Sequence, residues 1–276
     1  MKKHLLFFVF LFHKEGLAWK LTNISPHEGQ FDGKKIACIA MDEETMQLEN
    51  VLRLMEDHMV EFDHVIPVIN DPKQRETRYF LTMLASVIDE PGLTFYCHSK
   101  GVWQGKSNRD AYRGAKKWVK LLYEENLGNP AMVDTAMEQY TFGGVLRARK
   151  PHRLVPVPWH YSGTFFWINN QKLRNHNWAR HAHWGRYGTE AYPGGIVDVN
   201  ESVCFKYDHF DPSGSIYNEK FWDQLQAGHT AKDGYNQKLQ QESVADDIIR
   251  HALQFKADAL SMQEFTNYVQ SKIGTE

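Results

Sequence analysis

Several short polar clusters in this chain carry the residue types that chemistry needs. The first is His98-Ser99-Lys100-Gly101. Lysine is a compact point charge, glycine lets a backbone come close, and histidine exchanges a proton near neutral pH, so the run suits a diphosphate. The second is Gly188-Thr-Glu190-Ala-Tyr-Pro-Gly194. Glu190 stands there among glycines and aromatics, where partial desolvation would tune it towards a general base. The third, His160-Tyr161-Ser162-Gly163-Thr164, combines small side chains with backbone donors, but it lacks the Gly-x-Ser-x-Gly elbow of a serine hydrolase. His176, His181 and His183 share one stretch rich in Trp and Arg, with no Cys or carboxylate at a ligand spacing nearby. Asp208, His209 and Asp211 follow the apolar Val203-Cys-Phe205 and are of types that hold Mg²⁺ or Mn²⁺. Each cluster also has a plain reading: a turn with a solvated lysine, a glutamate capping a helix, a polar loop, or the turn written by Asp211-Pro-Ser-Gly214.

The elements that would position these groups are legible as alternating patterns. Residues 4–12 form an apolar run that reads as a buried strand, and a loop punctuated by Pro26, Gly29 and Gly33 follows. Lys34 to Met41 is a second strand, covered on both faces. Met46, Val51, Leu54, Met55 and Met59 recur at helical spacing. His64 to Ile69 is a third strand, and its Pro67 implies an edge or a bulge. Asp71, with Pro72 behind it, is placed to cap a helix running to about Ile88. Leu93 to Cys97 is the next strand. This alternation predicts an α/β fold with a mainly parallel central sheet and helices on both faces. Three polar clusters fall at strand ends, where such sheets bind ligands: Asp42-Glu-Glu44, Asn70-Asp71 and His98 to Gly101.

Further on, 104–109 reads as an exposed loop, 111–125 as a helix, and Pro130 as the start of another. Tyr140 to Leu146 and Trp159 to Ile168 are strand-like, and the central Gly163 of the latter marks a close approach to the backbone. Asn169 to Pro193 reads as a site-forming loop. From about Tyr217 the pattern becomes helical, with Glu242 to Lys272 forming amphipathic helices. The expected organisation is a main domain over 1–216 and a C-terminal helical appendage over 217–276.

Composition narrows the classes. A net charge of −2 gives no strong basic field for nonspecific nucleic-acid binding. Cys38, Cys97 and Cys204 are an odd, widely spaced set, which argues against a disulfide framework and fits a reducing compartment. Aromatic residues at 13% suit a deep core or a ligand-lined cleft. Met1-Lys-Lys3 and the apolar run behind it mimic a signal peptide, but no small-x-small cleavage site follows. The run is about nine residues, too short to span a bilayer. The expectation is a cytoplasmic protein with no membrane span.

Taken in order, these segments resemble a family of nucleotide-sugar glycosyltransferases with a GT-A-like fold. The matching pieces are the Phe-rich first strand, Asn70-Asp-Pro72 with Glu76 behind it, Phe95-Tyr-Cys-His-Ser-Lys-Gly-Val102, Trp159-His-Tyr-Ser-Gly-Thr-Phe-Phe-Trp167 and Tyr187-Gly-Thr-Glu-Ala-Tyr-Pro-Gly194. The resemblance implies transfer of a sugar from a nucleotide diphosphate donor, such as a uridine diphosphate (UDP) sugar, to a hydroxyl acceptor. Asn70 and Asp71 would contact the nucleoside, and His98, Ser99, Lys100 and Gly101 the diphosphate. Trp159, His160, Ser162, Gly163 and Thr164 would line the sugar, and Glu190 would be the base of an inverting reaction. In the family, the strand matched by Leu93 to Cys97 ends in an Asp-x-Asp that binds a divalent metal. His98-Ser99-Lys100 stands in its place here, so Lys100 would supply positive charge directly. A Mn²⁺ or Mg²⁺ ion stays open, with Asp208 and His209 as candidate ligands. A glycan, a lipid carrier, a protein or a modified nucleic-acid base would each serve as acceptor. Two alternatives stand beside this reading. One is a metal-dependent phosphoesterase or nuclease using Asp208, His209 and the histidine cluster. The other is a non-catalytic module that binds a sugar nucleotide.

Overall fold

The computed structural model describes residues 1–10, 14–41, 48–71, 73–99, 109–149, 155, 157–180, 185–210 and 218–226. Its centre is β1 (Lys3–Phe10), buried at every position. This strand pairs in parallel with β2 (Lys35–Met41) on one side and β4 (Leu93–His98) on the other. Neighbours on both edges and helices on both faces leave no solvated position, which is why the run is continuously apolar. β3 (His64–Ile69) pairs with β2 and closes one edge of the sheet, where Pro67 removes no needed donor.

Beyond β4 the sheet changes direction. β8 (Phe166–Asn169) runs antiparallel to β4 and also to β5 (Phe142–Val145), and β5 pairs in parallel with β9 (Ser202–Lys206). The seven-stranded order is β3-β2-β1-β4-β8-β5-β9. A separate two-stranded ribbon joins β6 (Arg147–Ala148) to β7 (His160–Tyr161).

Period-two alternation sorts the core into two layers. Leu5, Phe7 and Val9 face α1 (Lys14–Ile24), α2 (Leu48–Asp57), α4 (Arg109–Leu127), α5 (Pro130–Met137) and α8 (Glu219–Gln226). Leu6, Phe8 and Phe10 face α3 (Thr77–Ala85), α6 (Asn170–Leu173) and α7 (Gly188–Ile196). The connections through α1 and α2 therefore lie on one face, and the connection through α3 returns on the other. The strand order reverses between β1 and β4, and the carboxyl ends of those two strands form the switch-point crevice of a doubly wound sheet.

Several local expectations change. The segment 14–30, expected as a loop, is α1 followed by a 3-10 turn over Ser25–Gln30. Leu17, Leu21 and Ile24 are its buried stripe, at i, i+4 and i+7. Gly16, Thr22 and Asn23 dilute that signal in the sequence. Met59, counted with the apolar face of α2, is exposed, and its φ of 53° terminates the helix. Trp159 to Ile168 is not one strand but β7, a tight turn and β8. The expected loop before Pro193 ends in α7, where residues 188–193 are all buried. Pro193 and three glycines make this a poor helix by propensity, so tertiary packing holds it. Gly194 is obligatory there, because a Cβ would lie 1.9 Å from the Trp159 carbonyl oxygen.

Burial pushes the Cys38 thiol up to about 12 and raises Cys97 as well, so both are inert core groups. α8 packs onto α4, where Trp222 is fully buried between Trp118 and Phe210 with ring centroids at 6.4 and 6.1 Å. The helical pattern at 242–272 lies outside the described residues, as do Asp42 to Glu44. No helix among the described residues is long and apolar enough to cross a membrane.

His4 on β1 makes the fold sensitive to acid. Its ring is fully buried, and Nδ1 accepts a hydrogen bond from the Lys34 N–H at 2.9 Å, so the neutral ring carries its proton on Nε2. Burial lowers its pKa below the usual value; Glu90 and Asp32 oppose this, and Lys2 and Lys34 reinforce it. The unfolded chain takes up this proton near pH ~6.5, while the folded chain does so only at lower pH. Stability is therefore full above that value and declines as pH falls towards the folded pKa. His4→Asn keeps an acceptor for Lys34 N–H and removes the titration. Urea midpoints at pH 7 and pH 5 should lie closer together in this variant than in the wild type; an unchanged gap would refute the assignment.

Candidate functional site

The alternation of β4 decides where its last residue points. Tyr96 faces α3 and α7, so His98 lies on the same side, at the carboxyl edge of the sheet. The leading ends of α3 and α7 meet at that edge, where the Thr189 N–H donates to Thr77 Oγ1 at 3.1 Å.

Three segments distant in sequence converge on one glycine. Gly163 sits in the turn between β7 and β8 with φ 111°, a conformation that L side chains rarely adopt. An added Cβ would stand 2.8 Å from Leu122 Cδ1 of α4. The Gly163 N–H donates to Glu190 Oε1 at 3.0 Å, and its carbonyl accepts from His98 Nε2 at 3.1 Å. A carbonyl oxygen only accepts, which fixes the proton of that bond on Nε2. His98 and Glu190 are both under one-tenth exposed. Glu76, buried at the head of α3, brings Oε1 to 4.0 Å from His98 Nδ1. Two carboxylates, an imidazole and a glycine peptide held from both sides are thus assembled beside the switch point.

The remaining predicted residues divide. Ser99 stitches the two central strands together: its Oγ accepts from Phe10 N–H at 2.6 Å, and its own N–H donates to Phe8 O at 2.9 Å. Ser162 and Thr164 flank Gly163 and are buried, Thr164 with φ 62°. The Ser162 hydroxyl has no hydrogen-bond partner among the described residues. His160 is buried on β7, opposite Ala148. Trp159 serves packing, with its indole N–H donating to Val197 O at 3.1 Å just past α7. Lys100 and Gly101 lie outside the described residues.

Asn70 and Asp71 sit at the end of β3. That is three strand spacings from β4, about 14 Å at 4.7–4.9 Å each. The Asn70 N–H donates to Met41 O. Asp71 caps a turn before α3, accepting from the N–H groups of Lys73 and Gln74 and from Arg78. These bonds hold its carboxyl below the usual carboxylate range. Glu76 figures in the sequence only as a motif position and Arg75 not at all, yet Arg75 lies over the Phe10 ring at 5.7 Å, at the end of β1. Its φ of 50° is unusual for a non-glycine residue.

Asp208 has a different role from the metal ligand weighed above. Arg147 and Arg149 each grip both of its oxygens, at 2.5–3.0 Å. Burial pushes its pKa up, but the two guanidinium groups outweigh that and hold it well below the usual carboxylate range. Two fixed cations leave neither lone pairs nor a favourable field for a metal ion. His209 follows with φ 60°. His176 pairs with Glu201 at 3.1 Å, and His181, His183 and Asp211 lie outside the described residues. Among the described residues, no three His, Cys, Asp or Glu side chains come together to hold a metal.

The chain matches no protein-family model, and comparison with curated proteins yields no match.

The Gly163 turn is sensitive to substitution. Gly163→Ala should destabilise the fold by about 1–3 kcal/mol through the positive φ and the Leu122 contact. A denaturation midpoint equal to that of the wild type would show that the turn is not constrained as described.

Proposed function

We propose that the protein is a glycosyltransferase acting on a nucleotide diphosphate sugar. The observation that carries this reading is the meeting of His98, the Gly163 peptide and Glu190 beside the β1/β4 switch point, where doubly wound sheets receive nucleotides. The GT-A-like expectation draws support from the same sheet, whose β3-β2-β1-β4 half has the order of a nucleotide-binding half. A donor laid along the carboxyl edge would run from Asn70 and Asp71, across the ends of β2 and β1, to His98. In this reading positive charge for the diphosphate comes from protein groups: His98, Arg75 in the turn before α3, and Lys100 by its place in the sequence.

In the proposed reaction the acceptor hydroxyl attacks the anomeric carbon. A new C–O bond forms, the bond to the phosphate oxygen breaks, and the diphosphate leaves with the electron pair. Glu190 takes the hydroxyl proton. The Gly163 N–H orients its carboxylate, and the buried Ser162 hydroxyl is available to a donor hydroxyl.

A binding test and a turnover test separate this reading from that of a non-catalytic module. A cognate UDP-sugar or related donor at 100-fold its Kd should stabilise the fold by about 2.7 kcal/mol, seen as a higher melting temperature. Mn²⁺ should add little to that shift. Glu190→Gln should keep the donor-induced shift and lose transfer by about 10²–10⁴-fold. No shift with any nucleotide sugar, together with unchanged activity in Glu190→Gln and Lys100→Ala, would overturn the reading. A shift without any turnover in the wild type would favour the binding module.

A further inference from the structure

We propose that Glu76 is a positioning residue that keeps His98 protonated and, through it, holds the Gly163 turn and Glu190 in place. This rests on the transferase reading only for what the charge is used for; the pairing itself stands on geometry.

The argument begins with the ring nitrogens. His98 Nε2 faces the Gly163 carbonyl at 3.1 Å and must carry hydrogen. The second proton of the ring therefore comes and goes at Nδ1. That nitrogen faces Glu76 Oε1 at 4.0 Å, and both side chains are under one-tenth exposed. A buried carboxylate opposite a bare imidazole nitrogen would set two lone pairs against each other at low dielectric. A proton on Nδ1 replaces that repulsion with an ion pair. The groups that the contacts above bring to the ring are Glu76, facing Nδ1, Glu190, across the Gly163 peptide, and Tyr96, two residues back on the same face of β4; Arg75 lies in the turn before α3, over Phe10. Burial and the charge of Glu76 push Tyr96 well up, so it stays neutral. The two carboxylates favour the imidazolium; burial of the ring and the charge of Arg75 oppose it.

The consequence reaches the proposed base. Gly163 is gripped from both sides, its carbonyl by His98 and its N–H by Glu190. Glu76 faces the ring that holds the Gly163 carbonyl, and so acts on the turn through His98. It also determines whether a positive charge stands at the end of β4, where the leaving diphosphate is proposed to lie.

The test uses the full chain with ¹⁵N-labelled histidine, with His98→Gln as the assignment control. In the wild type, the His98 ring should show the Nε2–H form and titrate above an ordinary imidazole. In Glu76→Gln, its midpoint should fall by about one unit or more, while in Glu76→Asp, which keeps the charge at a longer gap, it should fall only partway. The pH profile of kcat/KM should lose its alkaline limb about one unit earlier in Glu76→Gln, following the same titration. A folded Glu76→Gln protein with an unmoved His98 midpoint would overturn the proposal. If the Gln variant does not fold, the Asp variant decides: its longer gap should lower the midpoint partway, and no change overturns the proposal. The two readings fail separately. A His98 shift in a protein that binds no nucleotide sugar keeps the pairing and removes the transferase; donor turnover with an unmoved His98 does the reverse.

Discussion

A buried turn must find partners for its backbone, and the turn at Gly163 finds them in side chains. Between β7 and β8 the chain reverses inside the protein; the Ser162 and Thr164 N–H groups bind the Leu146 and Tyr161 carbonyls, while both groups of Gly163 bind side chains. Glu190 takes the N–H and His98 supplies a donor to the carbonyl. These bonds require α7 to start, and β4 to end, at the same point in space. They also require the residue between them to be a glycine, since a side chain would meet Leu122. The site and the local fold therefore rest on the same few contacts.

The same economy explains α7. Its sequence, Gly-Thr-Glu-Ala-Tyr-Pro-Gly-Gly-Ile, would not hold a helix in water, since proline and glycine are the weakest helix formers. Inside the protein, Tyr192 packs edge-on against Phe80 at 4.7 Å, Gly194 lies on the Trp159 backbone, and Thr189 binds Thr77. The helix exists because its surroundings require it, and it delivers Glu190 in its first turn.

The charged groups farther along β6 and β9 serve stability. Arg147, nearly buried, binds the Ser202 backbone and hydroxyl as well as Asp208. The ribbon of β6 and β7, which leads into the Gly163 turn, is thereby tied to the edge strand β9. A carboxylate that looked like a metal ligand by type is instead the counter-ion of this tie.

The sequence by itself determined the first four strands and their cover of helices on both faces. Continuous apolar runs such as Leu5 to Phe10 and Ile36 to Ala40 can be satisfied only where both faces are covered, and a run of that kind is visible without coordinates. It also determined that polar groups stand at strand ends, because His98 and Asn70 directly follow those runs. Only the tertiary structure decided which polar groups meet. Glu76 and His98 are 22 positions apart and His98 and Gly163 are 65, and nothing in local pattern encodes a contact made by bringing α3, α7 and the β7–β8 turn to one edge of the sheet. The helical state of α7 and the arginine pairing of Asp208 were hidden for the same reason: propensity and residue type describe a chain in isolation, while burial and a fixed neighbour set the outcome.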